Sequence, residues 1–134
     1  MQIYHVYNRG NRKRRIFYDR GDYLRFERLL RRYEKVIGVE QLGYCLMPNH
    51  YHLLVRCNKK EYLSSLMQKL GIAYTMYINK KYRYVGHVFQ GRYCAKRIRS
   101  TERIIGYIRA NPVEAGLVKK YYDYRWLRIY EDRI

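Results

Sequence analysis

The stretch 39-VEQLGYCLMPNHYHLLVRC-57 decides the fold. Residues 39–47 and 50–57 are two apolar runs separated by Pro48 and Asn49, so they read as two strands of an antiparallel hairpin closed by a tight turn. His50 and His52 open the second arm one residue apart. Period-two geometry puts both on one face of it, with Tyr51, Leu53 and Val55 on the other.

The flanks of the hairpin give its context. Upstream, IYHVYN (residues 3–8) is β-branched and aromatic and reads as a strand. Gly10 and the basic loop NRKRR follow it. From Asp19 the period changes: Phe26, Leu29, Leu30, Tyr33 and Ile37 share one helical face, and Gly38 ends that helix. Downstream, a second helix begins near Glu61 and gathers Leu63, Leu66, Met67, Leu70, Tyr74, Tyr77 and Ile78 on one face. Gly71 in its middle costs about 1 kcal/mol relative to alanine. Residues 87–98 read as a strand or a bent strand pair. Ser100 is a good N-cap for a third helix over about 101–110, which Pro112 is expected to end near Asn111. The aromatic tail YYDYRWLRIY is expected to pack back on the domain.

The order β-α-β-β-α-β-α is that of a ferredoxin-like split βαβ unit. The expectation is therefore one α+β domain over residues 1–134, an antiparallel sheet with helices on one face and the other face free to hold a site. At 134 residues the chain suffices for one hydrophobic core and no more.

Charge dominates the composition. Twenty-nine Lys and Arg against 11 Asp and Glu give a formal net charge of +18, and 18 tyrosines accompany it. A basic, aromatic-rich surface suits a polyanion, and nucleic acid is the expected partner. Cys45, Cys57 and Cys94 are odd in number and form no CxxC pair, so neither a disulfide framework nor a zinc ribbon is indicated. The N-terminal residues turn basic too early for a signal peptide, and no run nears the roughly 20 apolar residues of a membrane span. The expectation is a cytoplasmic protein that does not enter membranes.

Two imidazoles on one strand face can converge on an ion, yet an HxH pair on a strand also serves as hydrogen-bonded surface. A third donor has to come from elsewhere. Tyr-x-x-x-Asn occurs three times, at Tyr4/Asn8, Tyr7/Asn11 and Tyr107/Asn111, and only the last pair falls on an expected helix, where i and i+4 meet. That pair could carry a nucleophile and a neutral oxygen ligand. Equally, Tyr107 could be an aromatic at the core edge and Asn111 a helix C-cap.

In combination, these residues resemble a known pattern. MPNHYHLLV is similar to the His-hydrophobic-His motif of single-tyrosine HUH endonucleases, and YIRANPVEAGLV is similar to the segment that carries their catalytic tyrosine. YHVYNRGNRKRRIF, DYLRFERLL and DYRW extend the likeness over nearly the whole chain. Within that group the chain most resembles insertion-sequence-type transposases, especially the REP-associated tyrosine transposases. Asn111 agrees with that branch, since the other insertion-sequence branch tends to have Gln there. Arg109 stands where related sequences often have His, and Tyr51 where an aliphatic is commoner.

The resemblance implies a metal-dependent single-stranded DNA endonuclease and strand transferase. Tyr107 would attack the phosphate to form a 5′-phosphotyrosine, and His50, His52 and Asn111 would hold Mg²⁺ or Mn²⁺. Asn11, Arg12, Lys13, Arg14 and Arg15, with Lys96, Arg97 and Arg99, are candidates to follow the backbone of single-stranded or hairpin DNA. Gln90 and Arg92 are candidates beside the site. A homodimer is a possible assembly. Two other readings use the same features: a basic DNA- or RNA-binding protein without catalysis, and a metal-dependent hydrolase with water as nucleophile.

Overall fold

The computed structural model describes residues 1–134. In chain order the elements are β1 (Gln2–Arg9), α1 (Arg20–Ile37), β2 (Glu40–Met47), β3 (His50–Cys57), α2 (Lys60–Tyr82), β4 (Cys94–Arg97), α3 (Thr101–Glu114) and β5 (Leu127–Ile129). The five strands form one antiparallel-paired sheet in the order β4-β1-β3-β2-β5. β3 lies between β1 and β2, which is the split βαβ arrangement expected from the order of elements. No helix is long and apolar enough to cross a membrane.

Alternation along the strands sorts the side chains into two layers. Tyr4 and Val6 of β1, Tyr44 and Leu46 of β2, and Tyr51, Leu53 and Val55 of β3 are buried beneath α1 and α2 with Phe26, Leu30, Leu66, Leu70 and Tyr74. The opposite face has a smaller core of Leu42, Cys45, Met47, Leu54 and Ile108, the last contributed by α3. So α1 and α2 cover one face, while α3 lies on the face that carries the histidines.

Local chemistry sets the helix ends. Asp19 caps α1 through a capping box with Asp22, and Gly38 closes it at φ 82°. Asp22 is fully buried and accepts from the Tyr18 amide, Tyr77 Oη, Tyr82 Oη and Lys81 Nζ at 2.7–2.9 Å, joining the start of α1 to the end of α2. Burial pushes its pKa up, but these donors outweigh that and hold it below the usual carboxylate range.

Three boundaries differ from the expectations. First, α3 does not stop near Asn111; it continues through Pro112 to Glu114. Proline so near a helix end forfeits only the one bond its missing N–H would make, the ring is buried, and at the helix end Ala115 N–H donates to Asn111 O at 3.0 Å. Second, of residues 87–98 only 94–97 form a strand. The chain before them bends around the end of β1, where Gln90 N–H donates to Arg9 O and Asn11 N–H to Val88 O, both at 2.9 Å. Third, the tail adds a short strand, β5, along β2, and Trp126 stacks on Tyr23 at 4.4 Å between ring centres.

Gly43 makes that last pairing possible. A Cβ there would lie 2.6 Å from the Arg128 carbonyl oxygen and 3.0 Å from Ile129 Cα, both backbone atoms. Gly43→Ala is expected to cost about 1–3 kcal/mol by chemical denaturation, from forced overpacking. Amide exchange should accelerate selectively at residues 127–129.

Candidate active site

The β2–β3 turn and the middle of the sheet build the site. β1 and β3 pair so that Tyr7 opposes His52 and Arg9 opposes His50, which places His5, Tyr7 and Arg9 on the histidine face. On β4, Cys94 opposes Tyr7 and Lys96 opposes His5, so these too face the site side. Gly10 keeps the following loop close: its N–H donates to Asn49 O, and a Cβ there would collide with the Arg14 carbonyl at 2.0 Å. A cleft of about 680 Å³ results, lined by Tyr7, Arg9, Lys13, His50, His52 and Arg92 among others.

α3 crosses the same face. Ser100 caps its start, accepting from Arg103 N–H, and Ile108 anchors its middle in the smaller core. Arg109 donates to Glu131 at 2.6 Å and lies 4.8 Å from the Tyr121 ring centre, tying α3 to the tail. Tyr107 then projects over the histidines, edge-on to His52 at 5.7 Å and to His5 at 6.0 Å, and remains 54% exposed. Asn111 donates Nδ2–H to the Tyr107 carbonyl at 3.2 Å, which turns its Oδ1 toward the histidines. That oxygen lies 3.2 Å from His50 Nε2 and 3.3 Å from His52 Nε2.

The hydrogen bonds on the far side of each ring bear on which nitrogens are bare. His50 Nδ1 sits 2.7 Å from Asn49 Oδ1, an acceptor, so it carries the proton and leaves Nε2 with a lone pair. His52 Nδ1 faces His5 Nε2 at 2.9 Å. With the proton on His52 Nδ1, His52 Nε2 is bare as well, and three acceptor atoms face one another. That arrangement is repulsive without a cation and well matched to one. The 3.2–3.3 Å separations are close to the roughly 3 Å expected between adjacent donors around an octahedral ion with bonds of about 2.1 Å. No three His, Cys, Asp or Glu side chains in this chain are grouped to hold a metal, so a third donor beside the two imidazoles would be the amide oxygen of Asn111. Two imidazoles and one amide suit Mn²⁺ better than Mg²⁺, and leave positions for phosphate oxygens on either.

Burial keeps the imidazoles neutral. It lowers His52 to about 3, aided by the neighbouring His50 and His5, and His5 to about 4, aided by Lys96; it lowers His50 too. These groups have an unfolded-state pKa near 6.5, so between that value and their folded pKa the unfolded chain binds more protons. Their contribution is complete above about pH 6.5 and is lost as pH falls, toward about 3 for His52 and about 4 for His5. In metal-free protein, the urea midpoint is therefore expected to fall from pH 6.5 to 5, where ordinary carboxylates are still ionised. In His52→Asn the slope should be shallower.

Of the residues singled out in the sequence, His50, His52, Tyr107 and Asn111 come together. Lys13, Gln90 and Arg92 line the cleft. Lys96 lies on the site face, its Nζ 5.9 Å from the Tyr7 ring centre. Arg97, paired with Tyr4, points to the other face of the edge strand. Asn11, Arg12, Arg14 and Arg15 belong to the same loop as Lys13 and do not line the cleft; Arg99 lies past the end of β4. His5, Tyr7, Arg9 and Asn49 were not anticipated. The alternation His5, Tyr7, Arg9 along β1 was a usable signal, but only once the strand's partner was known.

Comparison with known proteins bears on the fold and the family. The family described as "Transposase IS200 like" matches residues 1–111, ending on Asn111. Among solved structures, a REP-associated tyrosine transposase bound to a REP hairpin is similar at TM-score 0.75 and 19% identity, covering 94% of this chain and 74% of that one. A "putative transposase" from Deinococcus radiodurans R1 is similar at TM-score 0.60 and 18% identity, covering 81% of this chain and 89% of that one. At such identities the likeness establishes the fold. No curated protein matches the chain. The family match, spanning both the histidine motif and the tyrosine helix, places this chain in the IS200-like transposase family.

Proposed function

We propose that the chain cleaves and rejoins single-stranded DNA next to hairpins, with Tyr107 as nucleophile and with His50, His52 and Asn111 holding Mg²⁺ or Mn²⁺. The observation that carries this reading is the convergence of His50 Nε2 and His52 Nε2 on Asn111 Oδ1, at 3.2 and 3.3 Å, with the exposed ring of Tyr107 centred 5.7 Å from that of His52. The ion, when bound, would polarise the scissile phosphate and offset its charge.

The protein's own residues account for the rest. Tyr107 Oη attacks phosphorus; the Tyr–O–P bond forms as the bond to the 3′ oxygen breaks, leaving a 5′-phosphotyrosine and a free 3′-OH. One phosphodiester replaces another, so a later 3′-OH can reverse the step without ATP. Exposure of Tyr107 gives DNA access to it, and the i, i+4 bond from Asn111 couples the nucleophile's backbone to the ligand set. Arg9, Lys13 and Arg92 would engage phosphates along the cleft, and Gln90 would assist beside Arg9. The remaining basic residues, including Lys96, would extend the attraction over the surface. All four central residues come from one chain, so this reading needs no second copy. A hairpin partner is favoured by the similar transposase that is bound to one.

The test is to incubate the protein with single-stranded hairpin DNA and Mn²⁺ and to look for an adduct that survives denaturation. A wild-type protein that binds such DNA yet forms neither adduct nor product would point instead to a non-catalytic binding protein.

A further inference from the structure

We infer that His5 is a positioning residue for the metal site: by accepting the Nδ1 proton of His52 on its own Nε2, it holds His52 in the tautomer that can ligate. This inference rests on the ligand assignment proposed above. His5 is 6% exposed on β1, its ring within 19° of parallel to that of His52 with centres 5.1 Å apart, and their nitrogens meet at 2.9 Å. It is the only side chain hydrogen-bonded to His52 Nδ1.

The chemistry of the partner matters. A ligating histidine commonly donates its second N–H to a carboxylate or a carbonyl, which can only accept and so fixes the tautomer outright. An imidazole can accept or donate, so the pair has two neutral proton arrangements. In one, His52 carries its proton on Nδ1 and donates to His5 Nε2, while His5 carries its own proton on Nδ1; His52 Nε2 is then bare. In the other, His5 Nε2–H donates to His52 Nδ1, and His52 Nε2–H points at Asn111 Oδ1, 3.3 Å away. The second arrangement gives both nitrogens of His52 a hydrogen bond without an ion and blocks ligation by His52. Conversion from the second to the first moves one proton from His5 Nε2 to His52 Nδ1. The proton on His52 Nε2 leaves and His5 Nδ1 takes one up, so the pair's proton count is unchanged. His5 thus couples occupation of the site to a tautomer change with no net proton release from the pair.

Two further contacts fit this role. His5 lies edge-on to Tyr107 at 6.0 Å, so the ring that orients a ligand also packs beside the nucleophile. Asn49 performs the corresponding task for His50, by accepting only. The two ligands are therefore held differently, one by a fixed acceptor and one by a reversible partner.

The experiment is Mn²⁺ titration of the DNA-free protein, read by the electron paramagnetic resonance of the free ion, on wild type, His5→Gln and His5→Phe. Gln can place an acceptor oxygen near the position of His5 Nε2, and Phe keeps a ring without one. His5→Phe is expected to bind Mn²⁺ about 10–100-fold more weakly, and His5→Gln to stay within about threefold of wild type. A folded His5→Phe protein that binds as wild type does would overturn the inference. Wild type that binds no Mn²⁺ would instead overturn the metal assignment itself. Should His5→Phe not fold, nitrogen-15 spectra of wild type with saturating Mg²⁺ decide the matter. His5 must then carry its proton on Nδ1, and a proton on Nε2 excludes the role.

Discussion

Tyr107→Phe is expected to abolish the covalent protein–DNA adduct and to reduce strand cleavage by about a thousandfold or more, while DNA affinity changes less than about twofold. The substitution removes one oxygen and leaves the ring, whose edge-on contacts with His5 and His52 do not need it. Ile108 and the Arg109–Glu131 pair still hold α3, so Asn111 stays in place. Tyr107 is 54% exposed, so no buried partner is stranded by the loss of its hydroxyl. Adduct formation is measured on denaturing gels, and affinity separately by anisotropy. Cleavage that persists in Tyr107→Phe would show that water, not the tyrosine, is the nucleophile.

His50→Ala is expected to weaken Mn²⁺ binding by at least about a hundredfold and to remove cleavage, yet to leave DNA binding and its salt dependence nearly intact. Losing one of three donors removes an entire metal–ligand bond and uncovers Asn49 Oδ1, which water can reach in the cleft. The phosphate contacts come from other residues, and in a chain of net charge +18 these govern both the affinity and the slope of log Kd against log salt. His50 is the better choice than His52 for this test, because it is only partly buried whereas His52 is 5% exposed and packed against His5. A His50→Ala protein that cleaves normally would rule out the ligand assignment. One with a flattened salt slope would mean that the substitution disturbs the basic surface as well.

Much of the architecture was legible because its signals are local. Asp19 and Gly38 bound α1 through side-chain capping and a left-handed backbone angle, and both lie within one turn of the residues they affect. The Pro48-Asn49 turn and the alternation on either side of it gave β2 and β3 nearly to the residue. Elements whose existence depends on a distant partner were harder. β5 is three residues long and forms only where Gly43 admits another backbone, a fact that no property of Leu127–Ile129 announces. Likewise α3 passes Pro112 because the ring finds a buried place, which local propensity cannot foresee.

The site divides along the same line. Sequence alone determined that His50 and His52 share a strand face and that Tyr107 and Asn111 share a helix face, because side-chain direction within one element follows from its period. It determined the sign and size of the charge as well. Tertiary structure decided that those two faces meet at 3.2–3.3 Å, that Lys13, Gln90 and Arg92 line the cleft while Arg97 points to the other face, and that His5 stands behind His52. Those facts depend on which strands are neighbours and in what register. A one-residue slip between β1 and β3 would turn His5 to the opposite layer.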